Sequence, residues 1–545
     1  MHTGPWQQND TTPASLQNDH SSGNVSCEHG SAGTCLTAVY KRMIQQDTIV
    51  TVDLGNPDGE RTMPFSEARQ IMMECLDRAS FSQAASIARQ LADQLPQDPG
   101  LQSAAAEASY LHQQIEVAFE YIERALAISP GNISCLVLKS RLCMYSGDPA
   151  QAMQLIDQAL DFAPRYSQLY GIKAELLVNA GRIDDARGHF LKSIQLHPGN
   201  ADSMLGLTQL PGDHFSEELI KTVESGIRSG QMPVESRIKA HFALAHALDR
   251  KGDVAGHFAH LKAGNTLKSR SLKYDPADSE REANGTMEYF SEAFFARQQA
   301  VPGNPARIIF IVGFPRCGST LVEQILSSHP AVSAAGETYA LRHAIRDFQQ
   351  SRAFTRGYPY WIDGQPAGAL ADIAEDYMRK VNQFNQNEYL TDKLLDNYLF
   401  IGIIHLIFPN AIVIHVQRDP IDTCYSCYKR LFHLGSLPFA YDLEHLARKY
   451  RDYRRVIRHW KNVLPGTIHT VRYEDLIDRQ KAVTADLLKH CGLPWHDGCL
   501  EFYRNARPVL TNSNVQVRQP LYAASIGRWK RHEKYLGPLL GLAPE

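Results

Sequence analysis

From about residue 65 the apolar positions recur at helical spacing, and the whole arrangement returns every 34 residues. Pro96, Pro130, Pro164 and Pro198 keep that interval, and Ala84, Ala118, Ala152 and Ala186 keep it twelve residues ahead of them. Gly147 and Gly181 repeat it again, five residues before the alanine, so SGDPAQAMQLIDQALDFAP and AGRIDDARGHFLKSIQLHP are versions of one unit. The glycine opens a tight turn between two helices, the small alanine lets them pack closely, and the proline stops the second helix. A further, degenerate pair is predicted over 236–266. From 306 the pattern changes to buried strands alternating with helices. RIIFIVG (307–313) reads as a strand followed by a helix from Gly318 to Ser328, and 396–408 as a helix. AIVIHVQ (411–417) reads as a second buried strand, 420–432 as a helix, and 467–473 as a third strand. A short strand precedes Lys393. Apolar strands separated by helices predict a parallel sheet covered on both faces.

A helix–turn–helix unit of 34 residues resembles the tetratricopeptide repeat, with a purely structural bundle as the alternative. The expected organisation is multidomain: an all-α repeat solenoid followed by an α/β P-loop-like domain with a central parallel sheet. Residues 1–36, rich in Ser, Gly, Asn, Gln and Thr, are expected to be disordered, and 37–64 to be a structured lead-in. The repeats span 65–271, a connection 272–303, and the second domain 304–545.

Composition narrows the function classes. With 43% hydrophobic and 21% charged residues the chain is ordinary and globular, and its net charge of −3 gives no global attraction to nucleic acid. The N-terminus lacks the basic and apolar regions of a secretory signal, and the apolar run at Leu399–Phe408 is interrupted by His405 and too short to span a bilayer. A cytoplasmic, reducing location is expected. The ten cysteines form no disulfide framework, and a single Cys424-x-x-Cys427 pair reads as helical thiols rather than a metal or redox site. No metal is expected.

The chemistry gathers at Gly313-Phe-Pro-Arg-Cys-Gly-Ser-Thr320, where a strand hands over to a helix. Glycines let the backbone curl, and amides at the helix start converge on an anion. The nucleoside-triphosphate version places Lys after the second glycine; here Ser319 stands there and the cation comes earlier, at Arg316. Gln417-Arg418-Asp419 ends the next strand, with no clear acidic metal ligand. A kinase with an atypical loop stays open as an alternative, with the missing lysine against it.

Pro-Arg-Cys-Gly-Ser-Thr (315–320) resembles the 5'-phosphosulfate loop of sulfotransferases that use 3'-phosphoadenosine-5'-phosphosulfate (PAPS). Arg418-Asp-Pro, with Ser426 at the eighth residue and Arg430 beyond, resembles the family's 3'-phosphate motif. The similarity is closest to the tyrosylprotein branch and covers about 306–532. Glu337 lies in AAGET, Lys393 in YLTDK, and Tyr473 in RYEDL. Ser513, Gln516, Pro520, Arg528 and Trp529 follow the branch's C-terminal pattern. Cys317 and Ser319 replace commoner residues, and the sequence around Tyr339 departs from the branch.

The resemblance implies PAPS as the sulfuryl donor. Arg316, Cys317, Gly318, Ser319 and Thr320 would hold its 5' end. Arg418, Ser426 and Arg430 would hold its 3'-phosphate, and Tyr473, Gln516 and Arg528 would complete the nucleotide site. Glu337 would be the general base, with Lys393 and Ser513 stabilising charge on the leaving oxygen and sulfuryl group. A protein or peptide acceptor, tyrosine included, is implied, with the repeats as docking surface. A repeat scaffold with a non-catalytic second domain is the competing class. Seven Lys/Arg against one Glu over 504–534 suit closure over an anionic donor; a solvated face or RNA-binding edge is the alternative, and no nucleic-acid partner is expected.

Overall fold

The computed structural model describes residues 48–542 except 56–58, 78–79, 113, 298–305, 353, 355, 364, 367, 433–436, 506, 508–515 and 522–525. The expected disorder at 1–36 lies outside the described residues. The chain divides into two compact units, Met1–Pro130 and Gly131–Glu545.

In the first unit β1 (Ile49–Asp53) and β2 (Glu60–Pro64) pair antiparallel, with Ile49 opposite Pro64. Four helices follow: α1 (Phe65–Asp77), α2 (Phe81–Gln94), α3 (Pro99–Leu111) and α4 (Ile115–Ile128). Asp98 caps α3 by accepting from the Gly100 and Leu101 amides, and Pro99 occupies the first turn, where no intrahelical donor is needed.

The second unit continues the helical pairs: α5 (Ile133–Tyr145), α6 (Pro149–Phe162), α7 (Ser167–Asn179), α8 (Ile183–Leu196), α9 (Ala201–Gln209), α10 (Glu217–Arg228), α11 (Val234–Arg250) and α12 (Val254–Arg270). All four repeat alanines, Ala84, Ala118, Ala152 and Ala186, are fully buried, as close helix packing requires. Gly181 turns from α7 to α8 at φ +79°, a left-handed conformation that is costly for other residues.

The segment 272–303, read as a connection, carries α13 (Pro276–Tyr289) and α14 (Glu292–Arg297). Its Phe290 is fully buried against Phe294 and Trp460, and a Cβ on Gly402 would lie 2.7 Å from the Phe290 ring. The sheet domain follows with β3 (Arg307–Gly313), α15 (Ser319–Leu326), β4 (Val332–Ala334), α16 (Ala340–Ser351), α17 (Ala371–Val381) and β5 (Tyr389–Asp392). A 3-10 turn at Leu395–Phe400 leads into α18 (Ile401–Ile407), β6 (Ile412–Gln417), α19 (Pro420–Tyr428) and α20 (Leu443–Val463). The last elements are β7 (Ile468–Arg472), α21 (Tyr473–Asp478), α22 (Gln480–His490) and α23 (Gly537–Leu540).

The sheet is parallel throughout, ordered β4-β5-β3-β6-β7. Side chains alternate along β3: Ile308, Phe310 and Val312 enter one core with Phe290 and Trp460, whereas Ile309 and Ile311 enter the other with Val322 and Ile325 of α15. The first core also takes Ile238, Phe242, Phe258 and Leu261 from α11 and α12, so the last repeat helices share the sheet domain's interior. Asn265 of α12 donates to the Tyr428 carbonyl at 3.1 Å across that junction.

If 276–297 belongs to this core, Phe290→Ala costs about 3–5 kcal/mol, the usual range for emptying a buried aromatic site. Chemical denaturation measures it, and a loss below about 1 kcal/mol would place the segment outside the folding unit.

Candidate active site

Each strand of the central pair ends in a turn that aims backbone or cation toward the same edge of the sheet. β3 and β6 run side by side, with Gly313 opposite Val416. After Gly313 the chain turns through Phe314–Gly318, closed by the Cys317 amide donating to the Phe314 carbonyl at 3.1 Å. Arg316 is a non-glycine residue held at φ +71°, a strained conformation. Gly318 starts α15 at φ +102°, and a Cβ there would come within 2.4 Å of the Tyr473 ring. Glycine is therefore required both for the turn and for the tyrosine's approach. α15 starts at Ser319, with the Ser319 and Thr320 side chains both buried, and a helix start carries positive potential.

The structure brings the two predicted phosphate motifs together. Arg316 Nε donates to Ser426 Oγ at 3.3 Å, and Arg418 Nη1 donates to the Arg316 carbonyl at 3.2 Å. The Cys427 thiol donates to the Pro315 carbonyl at 3.2 Å, fastening α19 against the loop. The Arg418 guanidinium lies 4.8 Å from the centre of the Tyr473 ring. Lys429 adds a cation that sequence reading missed; burial, followed by the fields of Arg528, Arg430 and Arg418, pushes its ammonium down to about 7 against the opposing pull of Asp249. Arg528, Arg430 and Arg418 thus all act on Lys429, and their positive charge favours an anion on this side of the loop.

Asp422 of α19 accepts the Gly527 amide at 2.6 Å and the Trp529 amide at 3.4 Å. It thereby holds the C-terminal segment bearing Arg528 against α19. Cys317 is 1% exposed, and burial pushes its thiol up to about 11, so it fills space as a neutral group. Cys424 and Cys427 are buried with thiols likewise pushed up by burial, in keeping with inert helical residues.

Glu337 and Lys393 form the second part of the site. The Lys393 amide donates to the Gly336 carbonyl and the Ala335 amide to the Thr391 carbonyl, each at 2.9 Å, extending the β4–β5 pairing. This register sets Lys393 beside Glu337, and Nζ donates to Oε1 at 2.6 Å. Lys393 is fully buried whereas Glu337 is 48% exposed, so the carboxylate is the partner that faces incoming solute. Below them, burial pushes the Asp392 carboxyl up to about 7. Its oxygens accept from Tyr377, Asn397 and the Leu394 amide, each at 3.1 Å. Glu323 of α15, 1% exposed, accepts from Thr391 at 3.3 Å and from Arg507 at 2.9 Å. Neither acid was singled out from sequence, although a lone glutamate inside the apolar helix STLVEQIL signals a buried partner.

Ser513 lies outside the described residues. Gln516 begins a short 3-10 turn, Gln516–Arg518. Tyr339 is 37% exposed beside Glu337. Asp249, His257 and His532 place ligand atoms within 4.8 Å of one another. Arg531 donates to Asp249 and to His532, and the His257 ring meets the Ala245 carbonyl and the Tyr425 hydroxyl. The trio thus lies in a polar seam between α11–α12 and the sheet domain, with His532 Nδ1 buried and without a hydrogen-bond partner. A cavity lined by His415, Gln417, Tyr453, Arg454, Arg458 and Lys461 runs along β6 and α20 and contains none of the predicted site residues.

Residues 308–497 match the model of the sulfotransferase family. This domain is sulfotransferase-like. Residues 110–176 match a tetratricopeptide-repeat model, so the chain joins repeats of that kind to a sulfotransferase-like domain. An uncharacterized protein of Aquifex aeolicus is 29% identical over 417 residues, 75% of this chain and 54% of that protein. Protein-tyrosine sulfotransferase 1 of Danio rerio is 25% identical over 248 residues, 41% of this chain and 65% of that protein. The chain therefore spans between about half and two thirds of these curated relatives. Among solved structures, the sulfotransferase domain of the Synechococcus PCC 7002 olefin synthase is 21% identical with a TM-score of 0.33, over 43% of this chain and 91% of that one. The family of the sulfotransferase-like domain supports sulfuryl transfer as its general chemistry. No helix among the described residues is long and apolar enough to cross a membrane.

The raised Asp392 carboxyl makes stability depend on pH. The folded protein keeps a proton that the unfolded chain releases between about pH 4 and 7, so this contribution is present below about 4 and lost as pH rises through 7. Asp392→Asn, neutral throughout, should flatten that decline. Denaturation midpoints at pH 5 and pH 8 for both proteins check it; parallel declines would show that Asp392 does not hold the proton.

Proposed function

We propose that this protein transfers a sulfuryl group from PAPS to a hydroxyl acceptor, and that the acceptor is a tyrosine side chain of a protein or peptide. The observation that carries the reading is the direct contact between the two phosphate motifs, Arg316 with Ser426 and Arg418 with the Arg316 carbonyl. A donor with phosphate at both its 5' and 3' positions suits a site whose loop amides and guanidinium groups are fastened together in this way. ADP-type donors lack the second phosphate and would leave the Arg418–Ser426 side unused.

In the proposed reaction the acceptor oxygen bonds to sulfur while the bond between sulfur and the oxygen of the donor's 5'-phosphate breaks. Adenosine 3',5'-bisphosphate departs, and the acceptor proton passes to Glu337. A phenol is a weak nucleophile below its pKa near 10, and a positioned base contributes about 10²–10⁴-fold. Lys393 would donate to the departing oxygen, with Arg316 and the α15 amides stabilising charge around the sulfuryl group. In the resting site the ammonium of Lys393 is held by Glu337. Donor binding would draw that ammonium toward the leaving oxygen and free the exposed carboxylate for the acceptor. Ser513 and Gln516 would act from the C-terminal segment, and the tyrosine acceptor is favoured by similarity to a protein-tyrosine sulfotransferase. The repeats would dock the acceptor or a partner protein.

Calorimetric titration with adenosine 3',5'-bisphosphate and with ADP tests the donor. Binding should require the 3'-phosphate, and Arg418→Ala should weaken it by about 100-fold, the scale of losing charge-assisted bonds. Equal affinity for ADP would refute the assignment. Glu337→Ala should retain product binding and lose about 10²–10⁴-fold in turnover of labelled PAPS; equal loss of both would deny it the role of base.

A further inference from the structure

Phe502, Asn505, Arg507 and Arg518, from the C-terminal part of the chain, connect α15 with the repeats. On the loop side, Gln324 of α15, fully buried, donates to the carbonyls of Phe502 and Asn505, each at 3.3 Å. Asn505 returns a bond to the Ser327 carbonyl at 3.2 Å. Arg507 then reaches Glu323 Oε2 at 2.9 Å, and its own carbonyl accepts from Arg518 Nη2 at 3.2 Å. The same Arg518 nitrogen donates to the Asn179 carbonyl, at the end of α7, at 2.7 Å. The Arg518 side chain packs closely on the repeat turn: a Cβ at Gly181 would lie 3.1 Å from Arg518 Cδ.

We propose that Glu323, Arg507 and Arg518 are positioning residues that make the α7–α8 repeat turn part of the catalytic unit, linking Asn179 to the end of β5 that carries Lys393. The inference rests on the reading of Lys393 as a catalytic residue. A carboxylate as buried as Glu323 stays charged only with compensation. Burial pushes its acidity down, but Arg507 first and then Lys393 outweigh this and hold it below the usual carboxylate range. Charged, it accepts Thr391, two residues before Lys393 on the same strand end, at 3.3 Å. Arg507 is therefore needed for the Glu323 charge, and Arg518 locates Arg507 by bridging it to a rigid helix end. Since Arg518 spends one nitrogen on both carbonyls, a shift of the repeat turn is transmitted to the Arg507 backbone. The repeats are on this view a wall of the active site as well as a docking surface.

The test uses the full chain and labelled PAPS with an acceptor that the unaltered protein sulfates. Arg518→Ala should lower kcat by about 10- to 100-fold, the scale of a small misplacement of catalytic groups, and leave the affinity for adenosine 3',5'-bisphosphate unchanged. Arg518→Lys, which still offers a donor, should recover part of the loss. Glu323→Gln, close in shape, should show the same split between kcat and donor affinity, so the inference does not hang on one variant. Unchanged kcat in both variants would overturn it, and so would a parallel loss of donor affinity, melting temperature and activity, which marks a structural role alone. Failure of the unaltered protein to bind the bisphosphate or turn over would instead count against the functional reading.

Discussion

The site depends on how one turn of backbone is held between β3 and α15. That turn contains a left-handed arginine, Arg316, and a left-handed glycine, Gly318. A strained arginine persists only where its surroundings over-determine it. Here Arg418 grips the Arg316 carbonyl, Ser426 meets its side chain, and the Cys427 thiol meets the carbonyl before it. The Arg418–Cys427 segment therefore shapes the turn after β3. Preorganisation of this kind is what a transfer reaction needs when little covalent help is available and positioning carries the rate.

The same economy holds on the other side of β3. Pairing of the residues after β4 with those after β5 sets Lys393 opposite Glu337, so this carboxylate and this cation are located by backbone hydrogen bonds rather than by flexible side-chain contacts alone. Buried acids beneath them are handled differently. Asp392 is neutralised toward pH 7 by burial, while Glu323 is kept ionised by Arg507. Two carboxyls near one lysine thus differ in charge because only one has a guanidinium partner.

Much of this was legible in the chain. The interval of 34 residues located the alanines that prove fully buried, and RIIFIVG and AIVIHVQ read directly as central strands because both of their faces are covered. The two segments now seen in contact, 314–318 and 418–427, were singled out in the sequence because glycine, arginine and serine stand at fixed spacing after a strand. What was hidden depended on distance in sequence. β4 has three residues, too few to show a period, and exists because β5 pairs with it. Residues 276–297 look polar, yet Phe290 and Phe294 turn them into part of the core. Glu323, Arg507 and Arg518 had no local signature, since each acquires its meaning from a partner more than ten residues away. The interior that runs across the expected 272–303 connection was invisible to sequence for the same reason: α11 and α12 contribute to the core of the sheet domain.

On the proposed function, one cradle, built from the turn after β3 and the Arg418–Ser426 segment, receives a doubly phosphorylated adenosine. A crystal structure of the protein with adenosine 3',5'-bisphosphate addresses it most directly. The account predicts the 5'-phosphate against the amides of 317–320 and the 3'-phosphate between Arg418 and Ser426, with Tyr473 beside the adenosine. Nucleotide bound away from both segments, or with its 3'-phosphate in solvent, would contradict it.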